Sequence, residues 1–171
     1  LPDKEVRIFG ADDRPLPLGE VGEIVIRGGF MAGYWGKPDK TAEATRGGWL
    51  HTGDLGMMDG NGLVHMRSRR SELLLVGGVE WYPRDVEEAL CRQPGVRQAA
   101  LVGVPLAAGG VRPVAFITGT PDGPHALKTA VADDLSYDLT VLGIEIVAEL
   151  PMTPTGKIAK ADLARFAAEK G

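Results

Sequence analysis

The pattern of predicted segments changes near Ser68, and this change constrains the fold more than any other feature of the chain. Before Ser68, short runs of β-branched residues separated by Gly and Pro predict strands, with one short helix at residues 37–45. After it, strands alternate with helical patterns, which is typical of a compact α/β unit. We therefore predict two parts, residues 1–68 and residues 69–171, with the charged run "SRRSE" at their junction.

Apolar periodicity predicts the individual segments. In the first part the predicted strands are residues 5–9, 23–28, 50–59 and 62–68. In the second part, a hairpin around Gly77 and Gly78 precedes a helix that begins at Pro83 and stops at Gly95. The remaining predicted strands are residues 96–104, 114–119 and 143–150, and the remaining predicted helices are residues 124–135 and 159–170. The predicted fold class is α/β (α+β).

Composition and charge exclude several classes of protein. With 44% hydrophobic and 25% charged residues, the chain has the composition of an ordinary soluble globular protein. A net charge of −4 argues against a general nucleic-acid binder, and no apolar run approaches the length of a transmembrane segment. The single cysteine, Cys91, excludes an internal disulfide framework and favours a reducing compartment. One cysteine and three scattered histidines give no zinc-site spacing.

The stretch "GWLHTGDLG" places one carboxylate, Asp54, among glycines and two residues after Thr52. An ionised carboxylate has two acceptor oxygens and can hold two neighbouring hydroxyls, such as those of a ribose. The flanking glycines would let a ligand approach the backbone. The alternative is that Asp54 is only a turn residue between two strands, and spacing alone favours that alternative.

The stretch "LPMTPTGKIAKADL" presents one lysine, Lys157, on a loop that runs directly into a predicted helix. Pro154 and Gly156 restrict the path of the loop. A lysine ammonium is a compact charge that suits the developing negative charge of carboxylate and phosphate oxygens. Taken by itself, this residue is better explained as a surface lysine ahead of a helix.

Four stretches, when they are considered in order, favour the ligand-binding interpretation of Asp54 and Lys157. They are "GEIVIRGGFMAGYWGKPDKTAEA", "GWLHTGDLG", "SRRSELLLVGGVEWYPRDVEEAL" and "LPMTPTGKI". In this order and spacing they resemble the carboxyl-terminal portion of adenylate-forming enzymes, which include acyl- and aryl-CoA synthetases, peptide-synthetase adenylation domains and firefly luciferase. The resemblance implies that residues 1–68 are the β-rich end of a large AMP-binding domain. It implies that residues 69–171 are a small mobile domain with a three-stranded sheet and flanking helices.

The resemblance also implies a role for particular residues in binding the nucleotide. Asp54 matches the aspartate that binds the ribose hydroxyls of ATP and of the acyl-adenylate, and Thr52 is placed beside it in the same motif. Arg69 matches the arginine at the domain junction that also reaches the nucleotide.

Other positions are implied to serve the two half-reactions. Lys157 matches the lysine that contacts the carboxylate and the α-phosphate during adenylation. Ser71 occupies the hinge about which the small domain rotates. Gly77 and Gly78 match the hairpin that lines the path of the acceptor thiol.

The resemblance implies a cytoplasmic enzyme that uses ATP, Mg²⁺, CoA and a small carboxylic acid. The phosphate-binding loop and the acyl pocket of this family lie in an amino-terminal domain whose motifs are missing from these 171 residues. Since the chain also begins at Leu1, we expect it to be a piece of a longer enzyme and to be inactive alone.

Several positions depart from the family pattern. Ser71 stands where the hinge residue is usually aspartate or lysine, and Ser68 stands where aspartate or glycine is usual. Leu106 and the pair Gly109-Gly110 replace an acidic residue and a Gly-Glu pair, and residues 139–143 lack the usual lysine and proline.

Three functions therefore stay open. The form of "SRRSELLLVGG" and "GGVEWYP" favours an acid–CoA ligase over an adenylation domain that loads a carrier-protein thiol. A non-catalytic interaction module that retains the fold is the third alternative, and the presence of both Asp54 and Lys157 argues against it.

Overall fold

The structure is a computed structural model, and it describes residues 3–29, 31–107 and 109–170. The chain divides into two compact units, Leu1–Ser71 and Glu72–Gly171. The last strand of the first unit continues through Arg69, one residue beyond the predicted division at Ser68. A short 3₁₀ turn, Arg70–Glu72, follows that strand.

The first unit is built on a four-stranded antiparallel sheet in which each strand pairs with the next along the chain. The strands are β1 (Glu5–Phe9), β2 (Gly22–Arg27), β3 (Leu50–Met58) and β4 (Val64–Arg69). Helix α1 (Pro38–Ala44) lies between β2 and β3 in the sequence, and Pro38 occupies its first turn, where a missing N–H costs nothing. Phe9, Val25 and Trp49 form a small buried cluster on this sheet.

The second unit starts with a hairpin and continues into a three-stranded sheet with helices. Its elements are β5 (Leu74–Val76), β6 (Val79–Trp81), α2 (Pro83–Cys91), β7 (Val96–Pro105), β8 (Val111–Gly119), α3 (Pro124–Val131), β9 (Gly143–Ile146) and α4 (Lys160–Glu169). The sheet has the order β7-β8-β9, with β7 and β8 antiparallel and β8 and β9 parallel. The predicted mixed α/β fold with a three-stranded sheet is confirmed.

Both faces of this sheet are covered, which explains why β7 and β8 are apolar at almost every central position. One face packs against α2 and α3, through a cluster that includes Leu101, Ile117, Leu90 and Val131. The opposite face, which includes Phe116, packs against α4. Successive side chains of a strand point to opposite faces, so a strand buried on both faces needs a continuous apolar run. Full burial of each large side chain contributes about 1.5–3 kcal/mol.

Two of the α-helices, α2 and α3, end several residues before their predicted ends. Helix α2 ends at Cys91, and Gly95 lies beyond it in the turn that leads to β7, where its φ of +77° suits glycine. Helix α3 ends at Val131 rather than at residue 135. Asp133 and Asp134 follow directly, and carboxylates are unfavourable at the negative end of a helix dipole.

Among the described residues, no helix combines the length and the apolar character that crossing a membrane requires.

Candidate functional site

Asp54 and Arg69 are brought together by the pairing of β3 with β4. They are direct partners in the antiparallel register, and Arg69 Nε lies 3.3 Å from Asp54 Oδ1. Asp54 Oδ1 is buried and accepts no hydrogen bond within the described part of the chain. About a quarter of the Asp54 side chain is exposed. The carboxylate is thus balanced by one cation, and its exposed part can accept hydrogen bonds from a ligand.

Thr52 shapes the backbone that leads to Asp54. Its hydroxyl donates to the carbonyl oxygen of Ile24 at 2.7 Å and accepts from the N–H of Asp54 at 3.1 Å. Gly53, between them, has a φ of +73°, a conformation that glycine adopts without strain. Thr52 therefore fixes the local path of β3, while Asp54 presents its carboxylate.

A buried acid, Glu23, supports the same stretch from β2. Glu23 accepts from the N–H of Gly53 at 3.0 Å, and its second oxygen lies 2.9 Å from His51 Nδ1. Guanidinium nitrogens of Arg46 and Arg70 each lie 3.5 Å from that second oxygen. Burial alone would raise the pKa of Glu23, but the hydrogen bonds from His51 and Gly53 and the charge of Arg70 lower it overall.

Glu23 was not predicted as a site residue from the sequence. Its one signal is an acidic residue at the start of the apolar run "EIVI", where a strand buries alternate side chains. Its partners lie 23 to 47 residues away in the sequence, so the network could not be identified from spacing.

In the second unit, Gly77 and Gly78 form the turn between β5 and β6. Their φ values of +59° and +84° correspond to the two-residue turn that favours glycine at both positions. A Cβ added at either position would meet no atom within 4 Å, so the backbone of this turn is open. Gly77 also borders an apolar recess of about 540 Å³.

Lys157 lies on the returning side of a tight loop ahead of α4. Met152 and Ile158 form an isolated antiparallel bridge, and the N–H of Thr153 donates to the carbonyl of Lys157 at 2.7 Å. The Thr153 hydroxyl accepts from the N–H of Lys157 at 3.1 Å. Gly156 allows the reversal with a φ of +77°. The backbone of the loop is thus fixed by hydrogen bonds, while the Lys157 side chain is exposed.

The predicted site residues are divided between the units. Asp54, Arg69 and Thr52 lie in the first unit, and Ser71 is its last residue. Gly77, Gly78 and Lys157 lie in the second.

Metal-ligating side chains are not clustered in the described part of the chain. Within residues 3–29, 31–107 and 109–170, no group of three or more His, Cys, Asp or Glu side chains is arranged to hold a metal ion. The use of Mg²⁺ by the complete enzyme stays a prediction.

Comparison with known proteins identifies relatives of the chain. Residues 85–157 match the family described as AMP-binding enzyme C-terminal domain. The chain is 42% identical, over 94% of its length, to a sulfoacetate–CoA ligase of Cupriavidus necator, of which it covers 33%. It is 37% identical, over 94% of its length, to a feruloyl-CoA synthase of an Amycolatopsis species, of which it covers 34%.

A solved structure has a similar fold. The amide bond synthetase McbA from Marinactinospora thermotolerans superimposes with a TM-score of 0.87 at 37% identity, over 97% of this chain and 35% of that one. The chain thus spans about a third of the length of the relatives it matches. These matches confirm the resemblance that the ordered motifs predict.

Proposed function

We propose that this chain, which corresponds to the carboxyl-terminal third of adenylate-forming ligases, is part of an ATP-dependent acid–CoA ligase. The observation that carries the proposal is the Lys157 loop, which holds one exposed ammonium on a hydrogen-bonded turn. The CoA-ligase relatives favour CoA as the acceptor. ATP, CoA and a small carboxylic acid are then the substrates of the complete cytoplasmic enzyme, and the chain alone is inactive.

In the first half-reaction, a carboxylate oxygen of the acid attacks the α-phosphorus of ATP. The bond between that phosphorus and the bridging oxygen breaks, and pyrophosphate leaves with its electron pair. Asp54 accepts hydrogen bonds from the ribose hydroxyls, and Arg69, 3.3 Å from Asp54, holds that carboxylate and reaches the nucleotide. Lys157 stabilises the negative charge that gathers on the carboxylate and α-phosphate oxygens.

In the second half-reaction, the thiol sulfur attacks the acyl carbonyl carbon and loses its proton to solvent. The bond between that carbon and the phosphate oxygen breaks, and AMP leaves with the electron pair. The open turn at Gly77 and Gly78 lines the path of the thiol, because glycines let a narrow chain approach the backbone closely. Rotation at Ser71 exchanges the Lys157 loop for this turn between the two half-reactions.

The decisive experiment is Lys157→Ala in the full-length ligase. Removing one well-placed charge from a site of this kind costs about 10²–10³ in rate, so ATP–pyrophosphate exchange should fall by that factor. Thioester formation from supplied acyl-adenylate should continue at the wild-type rate. Lys128→Ala, at a partly exposed position on α3 of the same unit, is the matched control and should change neither rate. Equal losses in both half-reactions would contradict the proposed role.

A further inference from the structure

Lys160, the first residue of α4, is held by two carboxylates from distant parts of the second unit. Its Nζ lies 2.6 Å from Glu72 Oε2 and 2.9 Å from Glu87 Oε1. About three quarters of the Lys160 side chain is buried. An ammonium at hydrogen-bond distance from two carboxylates is held in position more firmly than a surface lysine with one solvated partner.

Glu87 is itself fixed in place. It lies on α2, and its Oε1 accepts from the backbone N–H of Leu101 on β7 at 2.8 Å. Its side chain is also largely buried. Glu87 therefore connects Lys160 to the central sheet as well as to α2.

The Lys160 ammonium stays charged across the physiological pH range. Burial alone would lower the pKa of Lys160, but the neighbouring Glu87 and Glu72 raise it overall. Removing the ammonium would leave two carboxylates facing each other without a cation, which is far more costly than losing an exposed ion pair.

Lys160 stands at the base of the Lys157 loop, three residues beyond Lys157. Its own N–H donates to the carbonyl of Ile158 at 3.0 Å, and the N–H of Ala159 donates to Pro151 at 2.8 Å. These bonds join the start of α4 to both ends of the loop. A displacement of the first turn of α4 would therefore move the loop with it.

We propose that Lys160 is a positioning residue for adenylation. Its ammonium fixes the base of the Lys157 loop to Glu72, which directly follows the hinge residue Ser71. Through Glu87 it also fixes that base to α2 and the sheet. Lys160 touches no substrate in this role, and it acts only by keeping Lys157 in place when the unit rotates. The inference rests on the proposed function.

The position of a catalytic charge matters steeply, since a misplacement of about 1 Å can reduce a rate about 100-fold. Loss of Lys160 should therefore slow the half-reaction that uses Lys157. It should leave the half-reaction that uses the Gly77-Gly78 turn unchanged. It should also leave ATP binding unchanged, because Asp54 and Arg69 belong to the first unit.

The test is Lys160→Met in the full-length ligase, which keeps the length and most of the apolar stem of the side chain. We expect kcat for adenylation to fall about 10- to 100-fold, with the KM for ATP and the rate of thioester formation from acyl-adenylate unchanged. Lys160→Arg should restore most of the adenylation rate, because a guanidinium can bond both carboxylates. The control is Lys170→Met, which removes a lysine paired with Glu145 at 2.8 Å just after the same helix. It should alter neither half-reaction.

A wild-type adenylation rate in Lys160→Met would overturn the inference, and so would equal losses in the rates of both half-reactions. If Lys160→Met fails to fold, Glu72→Gln provides the test instead. Glu72→Gln should slow adenylation but not thioester formation, and an unchanged adenylation rate would overturn the inference. A wild-type ligase that shows no acid-dependent pyrophosphate exchange would instead refute the proposed function on which the inference rests.

Discussion

Asp54 and Arg69 face each other across β3 and β4, with the guanidinium Nε 3.3 Å from the carboxylate Oδ1. The pair exists only because the two strands adopt this register, and a slip of one residue would place the side chains on opposite faces of the sheet. The register itself shifts between Leu55 and Gly56, directly after the pair. The geometry of the proposed nucleotide contact is therefore set by the pairing of β3 with β4.

Asp54→Asn should weaken nucleotide binding in the full-length ligase. The amide keeps the shape of the side chain but removes the charge and one acceptor oxygen. Hydrogen bonds to charged groups contribute about 1.5–3 kcal/mol, so we expect the KM for ATP to rise about 10- to 100-fold. Asp122→Asn, in an exposed loop of the second unit, is the control. An unchanged KM for ATP would show that Asp54 does not contact the ribose.

Glu23→Gln should destabilise the 171-residue chain in a pH-dependent way. The folded state lowers the pKa of Glu23, so the unfolded chain binds more protons as the pH falls. The stabilising contribution is therefore fully present above the ordinary Glu pKa of about 4.3 and is lost as the pH falls through the lower folded value. Loss of the charge-assisted hydrogen bonds should lower the free energy of unfolding by about 1–3 kcal/mol at pH 7.

Urea denaturation of wild type and Glu23→Gln at pH 7 and at pH 3 measures this effect. The difference in unfolding free energy should be largest at pH 7 and shrink at pH 3. Glu20→Gln, an exposed neighbour in the sequence, should show almost no difference at either pH. A difference that grows on acidification would mean that the sign of the Glu23 contribution is wrong.

Thr153 should contribute to adenylation through the Lys157 backbone. The Thr153 hydroxyl accepts from the N–H of Lys157 at 3.1 Å. Thr153→Val removes that acceptor while it keeps the shape of the side chain. If losing this bond destabilises the ordered loop by about 1 kcal/mol, adenylation should slow about fivefold. Thr153→Ser retains the hydroxyl and should stay close to the wild-type rate. Pyrophosphate exchange with both variants distinguishes the hydroxyl from the rest of the side chain.

The sequence predicts most of the elements because their signals are local. The Gly77-Gly78 turn, Pro83 at the start of α2 and the apolar runs of β7 and β8 each depend on a few neighbouring residues. The end of α3 was misplaced because apolar spacing continues to Leu135, whereas the helix stops before two aspartates.

The supporting residues of the site were not predicted, because their partners are distant in the sequence. Lys160 pairs with Glu72, 88 residues away, and Glu23 pairs with His51, 28 residues away. Motifs identify side chains that would meet a ligand, such as Asp54 and Lys157. The charges that hold those side chains in position depend on how the strands and helices pack.

The proposed pivot at Ser71 has an anchored residue on each side. Arg70 lies 3.5 Å from the buried Glu23 in the first unit, and Glu72 lies 2.6 Å from Lys160 in the second. Ser71 itself is exposed. A hinge needs a residue that can change its dihedral angles between segments that stay rigid.

Ser71→Pro should therefore separate the two half-reactions of the full-length ligase. Proline locks φ near −65° and also restricts the preceding residue, Arg70, so the backbone loses the freedom that rotation needs. We expect one half-reaction to keep nearly its wild-type rate and the other to slow strongly, according to the orientation that proline allows. Ser71→Ala leaves the backbone free and should sustain both. Pyrophosphate exchange and thioester formation, measured side by side, test this, and wild-type rates for both in Ser71→Pro would place the pivot at another residue.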